Sequence, residues 1–98
     1  MRITYDPTKN EKNIAERGLS FDRVLDLQWE TALMFEDRRR DYGEVRVHVL
    51  AMLGNRLHAV VVTARADAVH VISFRKASEK EMRRYEKEIS TSGRAGRR

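Results

Sequence analysis

Arg75 and Lys76 stand where an apolar stretch meets a polar, periodic one. Before them come Val69, Val71, Ile72 and Phe74, residue types that favour a strand. After them Ser78 precedes Glu81 by three residues, the pattern of a capping box, and Met82, Tyr85 and Ile89 recur at helical spacing. The stretch from Val69 to Ile89 is therefore expected to pass from a strand directly into a helix. A cation pair beside a helix start has the chemistry to meet a phosphate, because the planar arginine fork and the free N–H groups of the first turn both suit an anion. Pairing with acidic neighbours at a sheet edge accounts for the same two residues equally well.

A second group of chemically capable residues depends on strand register. Val45 to Leu53 and Arg56 to Ala64 read as strands, and Gly54-Asn55 between them is a two-residue hairpin signal. Leu53 then faces Arg56. Side chains alternate along a strand, so Glu44, Arg46, His48, Thr63 and Arg65 fall on one face and Val45, Val47, Val49, Val60 and Val62 on the other. The valine face is the expected core. The loop around Arg65-Ala66-Asp67-Ala68 decides where Arg75 goes. An odd-length loop sends Ile72 and Phe74 to the core and keeps Ser73 and Arg75 on the polar face, which spares the arginine a lone burial. It also turns Val69 and Val71 outward, against their character.

Composition narrows the chemistry. The chain has 98 residues, enough for one domain with a modest core. It has no cysteine, which excludes disulfides, a thiol nucleophile and thiolate metal sites. Three histidines, His48, His58 and His70, lack the short spacing of a helical ligand pair, so neither metal nor cofactor is expected. No apolar run approaches the length of a membrane span, and the first residues lack a signal-peptide pattern; a cytoplasmic protein is expected. The net charge is +5 with a pI near 10.0. Of the 20 cations, Arg94, Arg97 and Arg98 lie in a stretch without acids, which leaves 17 against 15 acids in the body. Residues 90–98 thus read as a basic, disordered tail, and nucleic acid is a reasonable partner class.

The elements that must position these residues follow in order. Arg2 to Tyr5 reads as a strand. Asp6-Pro7 opens a helix to about Glu16, with Asp as N-cap and Pro in the first turn, and Gly18 closes it. Ser20 caps an expected second helix, with Phe21, Val24, Leu25 and Gln28 on one side. Thr31 to Phe35 is a candidate strand. Glu36 to Glu44 is a charged connection in which Arg38-Arg39-Arg40 reads as a solvated loop rather than a site. The fold class is α+β: a small antiparallel sheet with two N-terminal helices and one C-terminal helix, in a single domain over residues 1–89.

Tyr5-Asp6-Pro7, Gly18-Leu19-Ser20-Phe21, Tyr42-Gly43-Glu44 with Arg46, Thr63 with Arg65, and Ile72-Ser73-Phe74-Arg75-Lys76-Ala77 followed by Glu81 and Tyr85 occur in an order that resembles the BrnT family of bacterial type II toxins. The resemblance covers residues 1 to about 89. It implies a RelE-like fold and an RNA-cleaving toxin that blocks translation. It also implies a cognate antitoxin of the BrnA type, expected in a heterotetramer, with DNA bound only through that complex. The family usually places His before the glycine at 18; here the residue is Arg17, which could contact phosphate in its stead.

Metal-independent RNA cleavage uses the 2′-hydroxyl as nucleophile. It needs a base for that proton, an acid for the leaving oxygen and cations for the growing phosphate charge. Glu44 is the candidate base, with His48 second. Arg46, Arg65 and Arg75 form the candidate phosphate clamp, and Tyr85 is a candidate for stacking or proton donation. Arg17, His48 and Lys76 are candidate substrate contacts. Each has a plainer explanation: Glu44 pairs with Arg65 across the hairpin, Tyr85 packs between helix and sheet, and His48 and His58 sit on the sheet surface. The alternative function is a non-catalytic nucleic-acid-binding or antitoxin-docking module.

Overall fold

A computed structural model of the chain describes the backbone of residues 1–96 and the side chains up to Ser90. The chain order is β1 (Ile3–Tyr5), α1 (Pro7–Arg17), two 3₁₀ turns (Phe21–Asp26 and Trp29–Thr31), β2 (Leu33–Glu36), β3 (Val47–Leu53), β4 (Arg56–Arg65), β5 (Ala68–Lys76) and α2 (Glu79–Gly96). The backbone of residues 90–96, expected as the start of a disordered tail, continues α2, and Arg97 and Arg98 lie outside the described residues. Among the described residues no helix is long and apolar enough to cross a membrane.

The fold class is α+β, with two corrections. The sheet has five strands in the order β1-β5-β4-β3-β2, and it is mixed, because β1 runs parallel to β5. One α-helix, not two, lies at the N-terminal end. It opens and closes as its sequence requires: Asp6 accepts from the Thr8 N–H, Pro7 occupies the first turn, and Gly18 adopts a left-handed φ of 65°. The second expected helix is a 3₁₀ segment capped by Ser20. The reason lies in its period. Phe21, Val24 and Leu27 recur every third residue and all are buried, whereas Leu25 is exposed, so the burial repeat is that of a 3₁₀ turn.

The β3–β4 hairpin has the expected register, with Leu53 opposite Arg56 and Val47 opposite Val62, around Gly54 at a φ of 61°. Its strand is shorter than expected at the start. Val45 lies outside β3 and is 63% exposed rather than in the core.

The sheet is packed on both faces. On one face Val49, Ala51, Val60, Val62, Val71 and Phe74 meet Phe21 and Val24 of the first 3₁₀ turn and Leu27, which caps it. On the other, Leu50, Leu57, Ala59 and Ala77 are covered by Met82 and Tyr85 of α2, with Leu33 and Phe35 beside them. The helix covers only one end of this second face. The other end, towards Thr63 and Arg65, holds the polar residues.

The β4–β5 connection corrects the odd-loop expectation. Arg65 pairs with Ala68, so Ala66-Asp67 is a two-residue turn, with Ala66 at a φ of 53°. An even turn alone would bury Arg75. It does not, because the register shifts between Val61 and Val62: Val61 faces Ser73 and Val62 faces Val71. Ile72 is the extra residue of a β-bulge, and a bulge reverses the facing of everything beyond it. Val69 and Val71 therefore face the first core, Phe74 does as well, and Arg75 still reaches the polar face.

Candidate active site

Arg75, on β5, enters the polar face beside the start of α2. Its Nη1 and Nη2 donate to Glu81 Oε1 and Oε2 at 2.7 and 3.0 Å, a two-point charge-assisted pair. Ser78 and Glu81 also form the expected reciprocal cap, at 2.9 Å from the Ser78 N–H and 3.2 Å from the Glu81 N–H. The Arg75 guanidinium, with help from the cap, holds the Glu81 carboxyl down to about 2. His48, on β3, places Nε2 3.1 Å from Glu81 Oε2. That approach is close but not aligned as a hydrogen bond, so this buried ring nitrogen lacks a proper partner. Burial lowers the His48 pKa against the pull of the nearby carboxylate, and the ring stacks on Phe35 with centroids 4.8 Å apart.

Towards the open end of the face, Glu44 lies between two arginines. Arg46 Nε is 3.4 Å from Glu44 Oε2, and Arg65 Nη2 is 3.6 Å from Glu44 Oε1. The pairing of Glu44 with Arg65 across the hairpin is therefore real, and Arg46 shares it. Thr63 spends its hydroxyl on the Val45 carbonyl at 2.7 Å, which ties down the chain that carries Glu44 and Arg46. The Arg46 guanidinium lies 4.0 Å above the Tyr42 ring, and Arg40 approaches the same ring at 5.1 Å.

Tyr42 in turn leads to Asp37. This carboxylate is 2% exposed and is enclosed by its own loop. It accepts from Arg39 Nε at 2.9 Å, Arg39 Nη2 at 2.8 Å and the Tyr42 hydroxyl at 3.3 Å. The Arg39 hydrogen bonds hold Asp37 far below the usual carboxylate range.

Of the residues expected to do chemistry, Glu44, Arg46, Arg65, His48 and Arg75 share one sheet face. Arg17 and Lys76 do not join the Glu44 group. With Gly18, Leu19, His58 and the edge of Arg75 they line a separate cleft of about 460 Å³. Tyr85 packs against the second core, and its hydroxyl donates to the Thr31 carbonyl at 2.9 Å, so the packing explanation fits its surroundings. His58 is not a sheet-surface residue: it is buried beside Phe74, with Nδ1 2.9 Å from the Arg56 carbonyl.

The sequence does not mark Glu81, Asp37, Arg39 or Tyr42 as site residues. Glu81 was legible only as a cap, because helix-start chemistry explains it fully. Asp37 and Arg39 carried a weak signal, an acid two residues before an arginine in a charged loop. Among the described residues no group of three or more His, Asp or Glu side chains converges as metal ligands would.

Fold and site together define a small α+β protein with a cationic, carboxylate-bearing sheet face left open by its C-terminal helix. The chain belongs to the BrnT family, ribonuclease toxins of type II toxin–antitoxin systems, whose family model matches residues 5–81. That span contains every residue of the face just described. Membership in a toxin–antitoxin family implies an antitoxin partner. Among curated proteins, none matches this chain.

Proposed function

We propose that this chain is itself an endoribonuclease toxin, cleaving RNA by attack of a 2′-hydroxyl on the adjacent phosphate and thereby blocking translation. The observation that carries the reading is the placement of Glu44 between Arg46 and Arg65 on an open sheet face, with His48 and Arg75 further along it. The 2′-oxygen bonds to phosphorus as the P–O5′ bond breaks, leaving a 2′,3′-cyclic phosphate; Glu44 takes the 2′-proton, water protonates the leaving 5′-oxygen, and the arginines offset the charge that grows on the phosphate. His48 is the second candidate base. Burial lowers its pKa from the ordinary imidazole value. The route uses no metal. The fold is proposed to be of the RelE type.

The test is expression of the chain alone, with growth and RNA integrity followed. Growth arrest with RNA fragmentation that survives a chelator is the expected result. A folded chain that neither slows growth nor cleaves RNA overturns the reading and leaves a nucleic-acid-binding or docking module. Glu44→Gln keeps the shape and removes the basicity. Activity lost in Glu44→Gln assigns the base; activity retained there but lost in His48→Ala assigns it to the imidazole.

The partner reading is finer than family membership. The antitoxin is proposed to be of the BrnA type, to cover the cationic face, and to form a heterotetramer that alone contacts promoter DNA. Arg17 and Lys76 are proposed to contact substrate from their own cleft.

A further inference from the structure

Arg39 is held in an unusual way for a loop arginine. Its side chain is 73% exposed, yet its Nε and Nη2 are fixed on a carboxylate that is 2% exposed. Arginine carries five N–H donors, and two are spent on Asp37, so three remain on the outward edge of a guanidinium that cannot swing freely. A long exposed side chain normally loses rotamer entropy when it meets a ligand, and Arg39 has lost much of it already.

Its position is as informative as its rigidity. The Arg39 charge is felt at Arg75, where it opposes the pull of Glu81, and the Asp37 charge is felt at His48. The Asp37 N–H donates to the Arg46 carbonyl at 2.8 Å, and the Asp37 carboxylate accepts from Tyr42, the ring beneath the Arg46 guanidinium. One buried carboxylate thus fixes Arg39 directly and props Arg46 through Tyr42. Arg38 differs: it is a fully solvated neighbour whose only described partner is the exposed Glu36 at 3.3 Å.

We propose that Arg39 is a further phosphodiester-binding residue of the sheet face and that Asp37 is the positioning residue that presents it. This rests on the RNA-cleaving reading above, and deepens it by naming the part of the loop that takes the substrate backbone. Arg39 then takes a phosphate beside the scissile one, while Arg75 on β5 stays with the reacting phosphate.

The experiment uses the full chain and a short fluorescent RNA made uncleavable by 2′-O-methyl groups, with affinity measured across a salt series. Arg39→Ala should weaken binding on the order of threefold to tenfold at low salt and reduce the salt slope by about 0.7, the loss of one phosphate contact on a single strand. Asp37→Asn should give a similar loss, and the double variant should add little to either, because both changes remove one unit. Arg38→Ala should bind as the parent does. Arg39→Lys keeps a charge but loses the fork, and should fall between parent and Arg39→Ala. If Asp37→Asn fails to fold, the two Arg39 variants decide, since that side chain is exposed. A parent that cleaves RNA, with Arg39→Ala unchanged in affinity and slope, overturns this proposal and leaves the ribonuclease reading standing. A folded Asp37→Asn that binds like the parent overturns the positioning role. A parent that neither binds nor cleaves RNA overturns both.

Discussion

Glu81 shows how one residue can serve the fold and the site together. It closes the cap of α2, takes both terminal nitrogens of Arg75 and lies beside His48. Its carboxyl titrates near 4.5 when unfolded and near 2 when folded. A depressed carboxyl stabilises the fold fully above its unfolded pKa, and that stability drains away as pH falls from about 4.5 to about 2. Asp37, shifted the same way by Arg39, adds to acid sensitivity in the same direction. Melting temperature measured across this range should fall in the parent and fall less in Glu81→Gln; parallel profiles would show that the pair contributes nothing. Arg75 itself is proposed to meet substrate. Arg75→Ala should leave a folded protein whose activity is lower by on the order of a hundredfold, and Arg75→Lys should recover little, because a point charge cannot replace the fork. Full toxicity of a folded Arg75→Ala would remove it from the active centre.

At the scale of elements, the hairpin and the caps were legible because short-range chemistry fixes them. Gly54-Asn55 sets the β3–β4 register, and Asp6, Pro7 and Gly18 bound α1. Gly18 carries a left-handed φ of 65° with open space where a Cβ would stand, so Gly18→Ala should cost about 1 kcal/mol from the backbone alone, read by chemical denaturation. The bulge on β5 was not legible. Val69, Val71, Ile72 and Phe74 cannot all face one core by simple alternation; an odd loop buries Ile72 and Phe74 but turns Val69 and Val71 outward, whereas a bulge lets Val69, Val71 and Phe74 share one core. The structure chooses the bulge, and the two differ in a measurable way. With the bulge Phe74 is buried and Ile72 only half so. Phe74→Ala should therefore cost about 3–5 kcal/mol and Ile72→Ala clearly less, on the order of 1 kcal/mol. Equal costs would restore the odd-loop register. The 3₁₀ segment differs for a related reason: Phe21, Val24, Leu25 and Gln28 fit a helical stripe, and only the burial of Leu27 in place of Leu25 distinguishes a period of 3.0 from 3.6.

The whole molecule is a thin sheet with a core on each face, and α2 packs over only one end of the second face. The open end is where Glu44, Arg46 and Arg65 stand, so under the proposed ribonuclease reading a partner that covers it is expected to exclude RNA. An antitoxin that works by coverage must be acidic where it meets these arginines. Such an interface forms quickly at low salt and weakens as ions screen it. Co-expression with the neighbouring gene product should yield a complex, and that complex should lose RNA binding and cleavage together. Arg46→Ala and Arg65→Ala should each slow assembly and flatten its salt dependence, because each removes a charge that steers the partner. A partner that docks elsewhere gives the opposite pattern: assembly indifferent to these two substitutions, with RNA still bound by the complex. Hydrogen exchange of β3 and β4 in the free and bound toxin separates the cases, since coverage protects the chain around Glu44 and Arg46 and remote docking leaves it as exposed as before.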